Sequence, residues 1–278
     1  MVCAGDCDEQ EIIFIIHGQN NRYPSYEEIA GVWQKKLWWV FLAMITPTAG
    51  MSSTRGVAVA PVDTASEAVV LLHGLWRSSY SLKKMENYLT GLGYHVYNLD
   101  YPSTRGDIAS LSQHLAAQLE NCCLQRHRKI HFVTHSLGGI LVRAYLKKYP
   151  LPALGHVVML SPPNQGSELV DVFRDNQWFK ALLGPAVIEL GTHSQDMPQQ
   201  LGKVDYSVGV ITGNVSVNPF LAQFFTTSND GKVAVERAKV SGMADFYVVP
   251  RSHTFIMNSP QVWEQVQHFL KYGMFDRG

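Results

Sequence analysis

From residue 67 to the C-terminus, short apolar runs alternate with longer amphipathic stretches. The runs occupy residues 69–73, 95–99, 130–135, 156–160, 206–212 and 246–249. They are rich in Val, Ile, Leu and Tyr and lack strict alternation, as expected of strands covered on both faces of a parallel sheet. Residues 81–92, 107–123, 137–149 and 260–272 carry helical spacing, and the pattern breaks near Gly93, Pro150 and Gly273. This order predicts one α/β domain over residues 61–278, with a mostly parallel sheet flanked by helices. Residues 166–202 interrupt the alternation with Trp178, Phe179, Leu182, Leu183, Val187, Ile188 and Leu190. The stretch is too long for an ordinary connection and predicts a small helical cap or lid. The alternative is a crossover helix with a long loop.

The first sixty residues follow another pattern. Lys35 and Lys36 precede an apolar run at 37–45, which is followed by Thr46, Pro47, Thr48, Ala49 and Gly50. Two cations, a short apolar run and small residues resemble a secretory signal, and the run falls short of the ~20 apolar residues that span a bilayer. About thirty residues precede it, which is the wrong position for a signal and makes Val32 a candidate natural start. Cleavage after Ala49 or near residues 58–60 would leave a secreted or periplasmic protein. A helix of the fold, a membrane-surface anchor and a cytoplasmic protein are the alternatives.

Composition narrows the function classes. The chain of 278 residues is 46% hydrophobic and 17% charged, with a formal net charge of zero. A sizeable core is available, and no basic field exists to gather nucleic acid. Four cysteines (Cys3, Cys7, Cys122 and Cys123) are too few for a disulfide scaffold and lack zinc-site spacing. Cys3 and Cys7 could pair, and Cys122 and Cys123 read as core filler. The reading requires no metal or cofactor.

Chemistry concentrates where the strand at 130–134 runs into His135, Ser136, Leu137, Gly138 and Gly139 ahead of a helix. A serine at a strand–turn–helix corner is pushed out of the sheet, and the tight turn needs small residues on either side. Gly138 is small, whereas Thr134 stands where a Gly is usual. The plain alternative for Ser136 is a helix cap. From "LLHGLW", "HFVTHSLGG", "SPPNQGSE", "NDGKVAVE" and "SHTFIMNSPQV", in this order across about two hundred residues, the chain resembles the α/β-hydrolase superfamily, in particular its bacterial lipase and esterase branch. The resemblance implies the α/β-hydrolase fold and a serine nucleophile at Ser136.

A serine hydroxyl needs a base. Of eleven histidines, His253 lies in the loop between the last predicted strand and the last helix, where the Ser…Asp/Glu…His order places it. His131 and His156 read as packed strand residues, His268 as a helix residue, and His135 as turned away from its neighbour Ser136. The acid falls between Ser136 and His253. Asp171, Asp175 and Asp196 lie in the cap-like stretch, and Asp205 and Asp245 lie at strand starts. Asp230, after a strand and before Gly231, is preferred, with Glu236 next and a simple Asp-Gly turn as the alternative.

The octapeptides "EIIFIIHG" at 11–18 and "EAVVLLHG" at 67–74 share a strand-then-His-Gly design that can present a backbone N–H to an oxyanion. Only the second is followed by βα units leading to the nucleophile, so Leu75, not Gln19, is the expected partner of the Leu137 N–H. Leu75 and Trp76 are expected to shape the acyl pocket, and His73 to bond loop backbone. These readings give a carboxylic ester hydrolase acting on a small-molecule ester or lipid, with room for transient lipid-surface contact. A thioesterase, amidase or phospholipase on the same residues, and a non-catalytic binding protein of this fold, stay open. Oligomeric state is not legible.

Overall fold

The computed structural model describes residues 67–124 and 126–278. The octapeptide at 11–18, the signal-like segment and the rest of the N-terminal extension lie outside the described residues. Among the described residues, six strands form a single sheet: β1 (Glu67–Leu72), β2 (His95–Leu99), β3 (Lys129–His135), β4 (Leu154–Leu160), β5 (Val208–Gly213) and β6 (Asp245–Val249). Every pairing is parallel, and the spatial order is β2-β1-β3-β4-β5-β6. Leu72, the last residue of β1, pairs with Leu99 on one side and Thr134 on the other. The strand order therefore reverses at β1. In open α/β sheets, the crevice beyond the carboxyl ends of strands at such a reversal is where ligands bind.

The missing hydrophobic alternation has a direct cause. Successive side chains of a strand point to opposite faces, and both faces here are covered. Val70 and Leu72 of β1 pack in one core with α2 (Ile108–Cys122) and α3 (Leu137–Lys148). Val69 and Leu71 pack in a second core against α1 (Lys83–Gly91) and the C-terminal helix (Pro260–Tyr272). Asp107 starts α2 by accepting the Ser110 N–H at 2.7 Å. Gly273, in the left-handed conformation at φ 73°, ends the last helix. Cys122 closes α2 and Cys123 follows it as the cap. Cys123 is buried in the core, as its reading as core filler implied. No helix among the described residues is long and apolar enough to cross a membrane.

Between β4 and β5 the chain forms four short helices, α4 (Glu168–Phe173), α5 (Gln177–Leu183), α6 (Pro185–Ile188) and α7 (Met197–Leu201). Two more, α8 (Pro219–Ala222) and α9 (Val235–Ala238), lie between β5 and β6, which makes Pro260–Tyr272 α10. Arg143 of α3 fastens this region. Its side chain is buried, and its Nη1 donates to the Asn164 carbonyl at 3.0 Å and to Asn164 Oδ1 at 3.1 Å. Its Nη2 donates to the Pro198 carbonyl at 3.2 Å and the Gly202 carbonyl at 2.7 Å. Burial pulls the guanidinium down to about 10, so it stays charged at neutral pH. Arg143→Met keeps the apolar stem and strands these acceptors. Because hydrogen bonds to charged groups are worth ~1.5–3 kcal/mol each, the variant should lose at least ~2 kcal/mol in urea unfolding and become protease-sensitive within residues 166–202. An unchanged midpoint and digestion pattern would contradict this role.

Candidate active site

β3 delivers Ser136 to the sheet reversal. Ser136 adopts φ 53° and ψ −120°, a conformation that L residues rarely adopt and that costs ~1–3 kcal/mol. The corner is held by Ser136 N–H donating to the Leu160 carbonyl at 2.9 Å and by Gly139 N–H donating to the Ser136 carbonyl at 2.9 Å. Glycine is required where the two strand ends meet. A Cβ on Gly138 would lie 2.7 Å from the Leu72 carbonyl oxygen and 2.9 Å from that of His73. A Cβ on Gly74 would lie 3.1 Å from Ser136 Cβ. The loop after β1 thus passes directly against the serine corner. Thr134 fits in place of a glycine because Gly139 leaves room: a Cβ there would come within 3.4 Å of Thr134 Oγ1 and 3.0 Å of Pro162 Cβ. The Ser136 side chain makes no capping bond to α3, so the structure does not use it as a helix cap.

The structure brings Ser136, His253 and Asp230 into one hydrogen-bonded line. His253 Nε2 lies 3.0 Å from Ser136 Oγ, and His253 Nδ1 lies 2.8 Å from Asp230 Oδ2. The turn at Asp230 is preorganised. Asp230 Oδ1 accepts from the Lys232 N–H at 3.0 Å and the Val233 N–H at 2.8 Å, and Gly231 turns the chain at φ 95°. The Asp230 carbonyl also accepts the His253 N–H at 2.9 Å, fixing the two loops to each other. Burial, the largest influence, pushes the Asp230 carboxyl up. The His253 charge and hydrogen bonds from His253, Ser161 and Val233 outweigh it, so the carboxyl sits below its ordinary value and stays ionised. Asp230 and His253 are buried while Ser136 is partly accessible, which places the hydroxyl at the reachable end of the line.

Two residues supporting this line were missed in the sequence. His135 is not idle beside Ser136. Its Nε2 donates to the His253 carbonyl at 2.9 Å, and the two rings lie 4.9 Å apart by centroids. Burial, then the His253 charge, holds His135 well below its ordinary value, so it remains a neutral donor. Ser161, at φ 48° just past β4, accepts the Gly213 N–H through its Oγ at 3.5 Å and helps hold the Asp230 carboxyl below its ordinary value. Its only signal in the sequence was its place at a strand's carboxyl end before Pro162 and Pro163.

Leu75 lies in the loop against Ser136, and no backbone or side-chain acceptor among the described residues takes its N–H. Leu137 is the first residue of α3, where N–H groups have no partner within the helix. Trp76 is 54% exposed at φ 57°, its N–H donating to Ser103 Oγ at 3.2 Å. His73 stacks on Tyr101 and places Nδ1 2.8 Å from the Gly74 carbonyl oxygen, the backbone-bonding arrangement expected of it. Four of the other candidate carboxylates are occupied elsewhere. Asp245 starts β6 and pairs with Arg277, while Glu236 on α9 pairs with Lys239. Asp171, His193 and Asp196 form the one metal-like group among the described residues, and Arg174 already supplies its cation. Arg174 Nη2 donates to Asp171 at 3.2 Å and Asp196 at 2.8 Å, and Nη1 donates to His193 Nδ1 at 3.1 Å.

The sequence profile of the alpha/beta hydrolase family matches residues 69–263, and the chain belongs to that family. Among solved structures it is similar to the mature lipase BlEst2 of Bacillus licheniformis, with TM-score 0.61, 23% identity, and coverage of 77% of this chain and 96% of that one. It is also similar to the metagenomic carboxyl esterase MGS0156, with TM-score 0.56, 20% identity, and coverage of 76% and 71%. Phospholipase PlaB of Legionella pneumophila aligns with TM-score 0.54, 18% identity, and coverage of 63% and 44%. No curated protein matches the chain by sequence.

Proposed function

We propose that the chain is a serine hydrolase cleaving carboxylic esters through an acyl-enzyme. The observation that carries the reading is the unbroken line from Ser136 Oγ through His253 to the ionised Asp230. His253 Nε2 takes the Ser136 proton as Oγ attacks the ester carbonyl. Leu75 and Leu137 N–H groups hold the oxyanion. The alcohol departs with the proton from His253, and water repeats the sequence on the acyl-enzyme to release the acid. Trp76 and the apolar side chains of residues 166–202 favour an apolar acyl group. The signal-like segment at 37–45 favours export to the periplasm or beyond.

The test is fluorophosphonate labelling of the native protein, mapped by mass spectrometry, alongside turnover of nitrophenyl esters of rising chain length, thioesters and anilides. A label on Ser136 and fastest turnover of the oxygen esters are expected. Faster thioester or anilide turnover would reassign the substrate class, and no label with no turnover would overturn the hydrolase reading.

A further inference from the structure

Two cations stand on the turns beside the serine site, and among the described residues neither makes an ion-pair contact. Arg77 closes the turn that follows the Gly74 contact, its N–H donating to the Gly74 carbonyl at 3.2 Å. Lys232 stands on the Asp230 turn, two residues from the carboxylate bonded to His253. Both residues are exposed. Among the described residues, neither side chain enters an ion pair or hydrogen bond. Asp230 attracts Lys232 but forms no ion pair with either cation, its oxygens being bonded to His253 and to the Lys232 and Val233 N–H groups.

The two turns border one ring: a Cβ on Gly74 would lie 2.8 Å from His135 Nδ1, and His135 Nε2 donates to the carbonyl of His253, the partner of Asp230. Each cation acts on His135, whose ring neighbours that of His253. Each is also close enough to affect the other: desolvation first and then Arg77 hold the Lys232 amine below its ordinary value, with Asp230 pulling against them. Arg77 and Lys232 thus stand exposed on the two turns that border the His135 ring. Like charges held together repel, and an anion between them relieves that repulsion. Arg is suited to the forked oxygens of phosphate and carboxylate, and Lys adds a point charge.

We propose that Arg77 and Lys232 form an anion subsite at the mouth of the Ser136 site, which takes a phosphate or carboxylate group carried by the ester substrate. This rests on the serine hydrolase reading above and specifies its substrate class as anionic esters. A phosphate would lie on the alcohol side, as in a lysophospholipid, and a carboxylate on the acyl side, as in a half-ester of a dicarboxylic acid.

The experiment compares kcat/KM for matched ester pairs on the native protein. One arm sets 1-acylglycerol 3-phosphate against the monoacylglycerol of the same chain. The other sets mono-4-nitrophenyl glutarate against 4-nitrophenyl butyrate. The anionic member should be favoured about ten-fold on at least one arm, the scale of one charge-assisted hydrogen bond, and the preference should shrink at high salt. Inorganic phosphate should compete with the favoured ester. Arg77→Gln with Lys232→Gln should bring the ratio close to one, and Arg77→Glu with Lys232→Glu should invert it. Fluorophosphonate labelling of each variant reports an assembled site, and phosphate competition on the native protein needs no variant. A native ratio of one or below on both arms would overturn the subsite, as would a preference surviving the double glutamine variant. Absence of both label and turnover would instead overturn the hydrolase reading and the subsite with it.

Discussion

Ser136→Ala should lower kcat for ester hydrolysis about 10⁶-fold, because residues of such a line act as a unit and losing the nucleophile loses the whole covalent route. Turnover should not fall to the rate in water. The Leu75 and Leu137 N–H groups are backbone and survive the substitution, and binding with such donors alone retains ~10³–10⁴-fold over water. KM should change little. The fold should survive, since Ser136 makes no capping bond and an alanine meets the same backbone demand at φ 53° as the serine. Single-turnover kinetics should lose the acyl burst, fluorophosphonate labelling should vanish, and the urea midpoint should stay within ~0.5 kcal/mol of the parent. An active, unlabelled Ser136→Ala protein would move the chemistry to another residue.

Most of the sheet was legible because buried parallel strands are continuous apolar runs, and their ends could be read to within about two residues. The predicted run at 95–99 coincides with β2, and the predicted helix at 260–272 coincides with α10. The sheet is parallel at every described pairing, where a mostly parallel one was expected. The predicted helix at 81–92 is in fact a 3-10 turn, Ser79–Leu82, followed by α1. Apolar periodicity does not separate these two states, because Leu82, Met85 and Leu89 reach the same core from either.

The serine, the histidine and the acid could be ordered along the chain because each follows a strand's carboxyl end. Their support was hidden, for a physical reason. His135 reaches the His253 carbonyl across 118 positions, and Arg143 reaches carbonyls 21 to 59 positions away. Such bonds are set by the packing of α3 and β3 against later loops, and no local pattern announces them. The sequence argument that neighbours at a corner point apart was sound for excluding His135 as the base. It missed that a ring turned away from Ser136 could hold the backbone of His253. Arg77 and Lys232 lie far apart in the sequence, and only the fold brings the turns at Gly74 and Asp230 to the same site.

Asp230→Asn should lower kcat about 10⁴-fold with the geometry nearly unchanged. An asparagine can still accept the Lys232 and Val233 N–H groups through its carbonyl oxygen, which places its NH2 toward His253 Nδ1. That nitrogen must then accept, so the proton moves to Nε2. Nε2–H facing Ser136 Oγ cannot remove the serine proton. The parent line, with a carboxylate at 2.8 Å, keeps the proton on Nδ1 and leaves Nε2 basic. The low-field proton resonance expected of the Nδ1–H bond should disappear in the variant. Glu236 should not rescue it, being paired with Lys239 on α9. The pH response follows from the direction of the Asp230 shift. Its carboxyl is lower in the folded state than in the unfolded chain, so its stabilisation is complete above the ordinary carboxylate range. That stabilisation is lost as pH falls through the lowered folded value. Acid unfolding of the parent should therefore show a component that Asp230→Asn lacks. Full activity in the variant, or an identical acid limb, would remove Asp230 from the line.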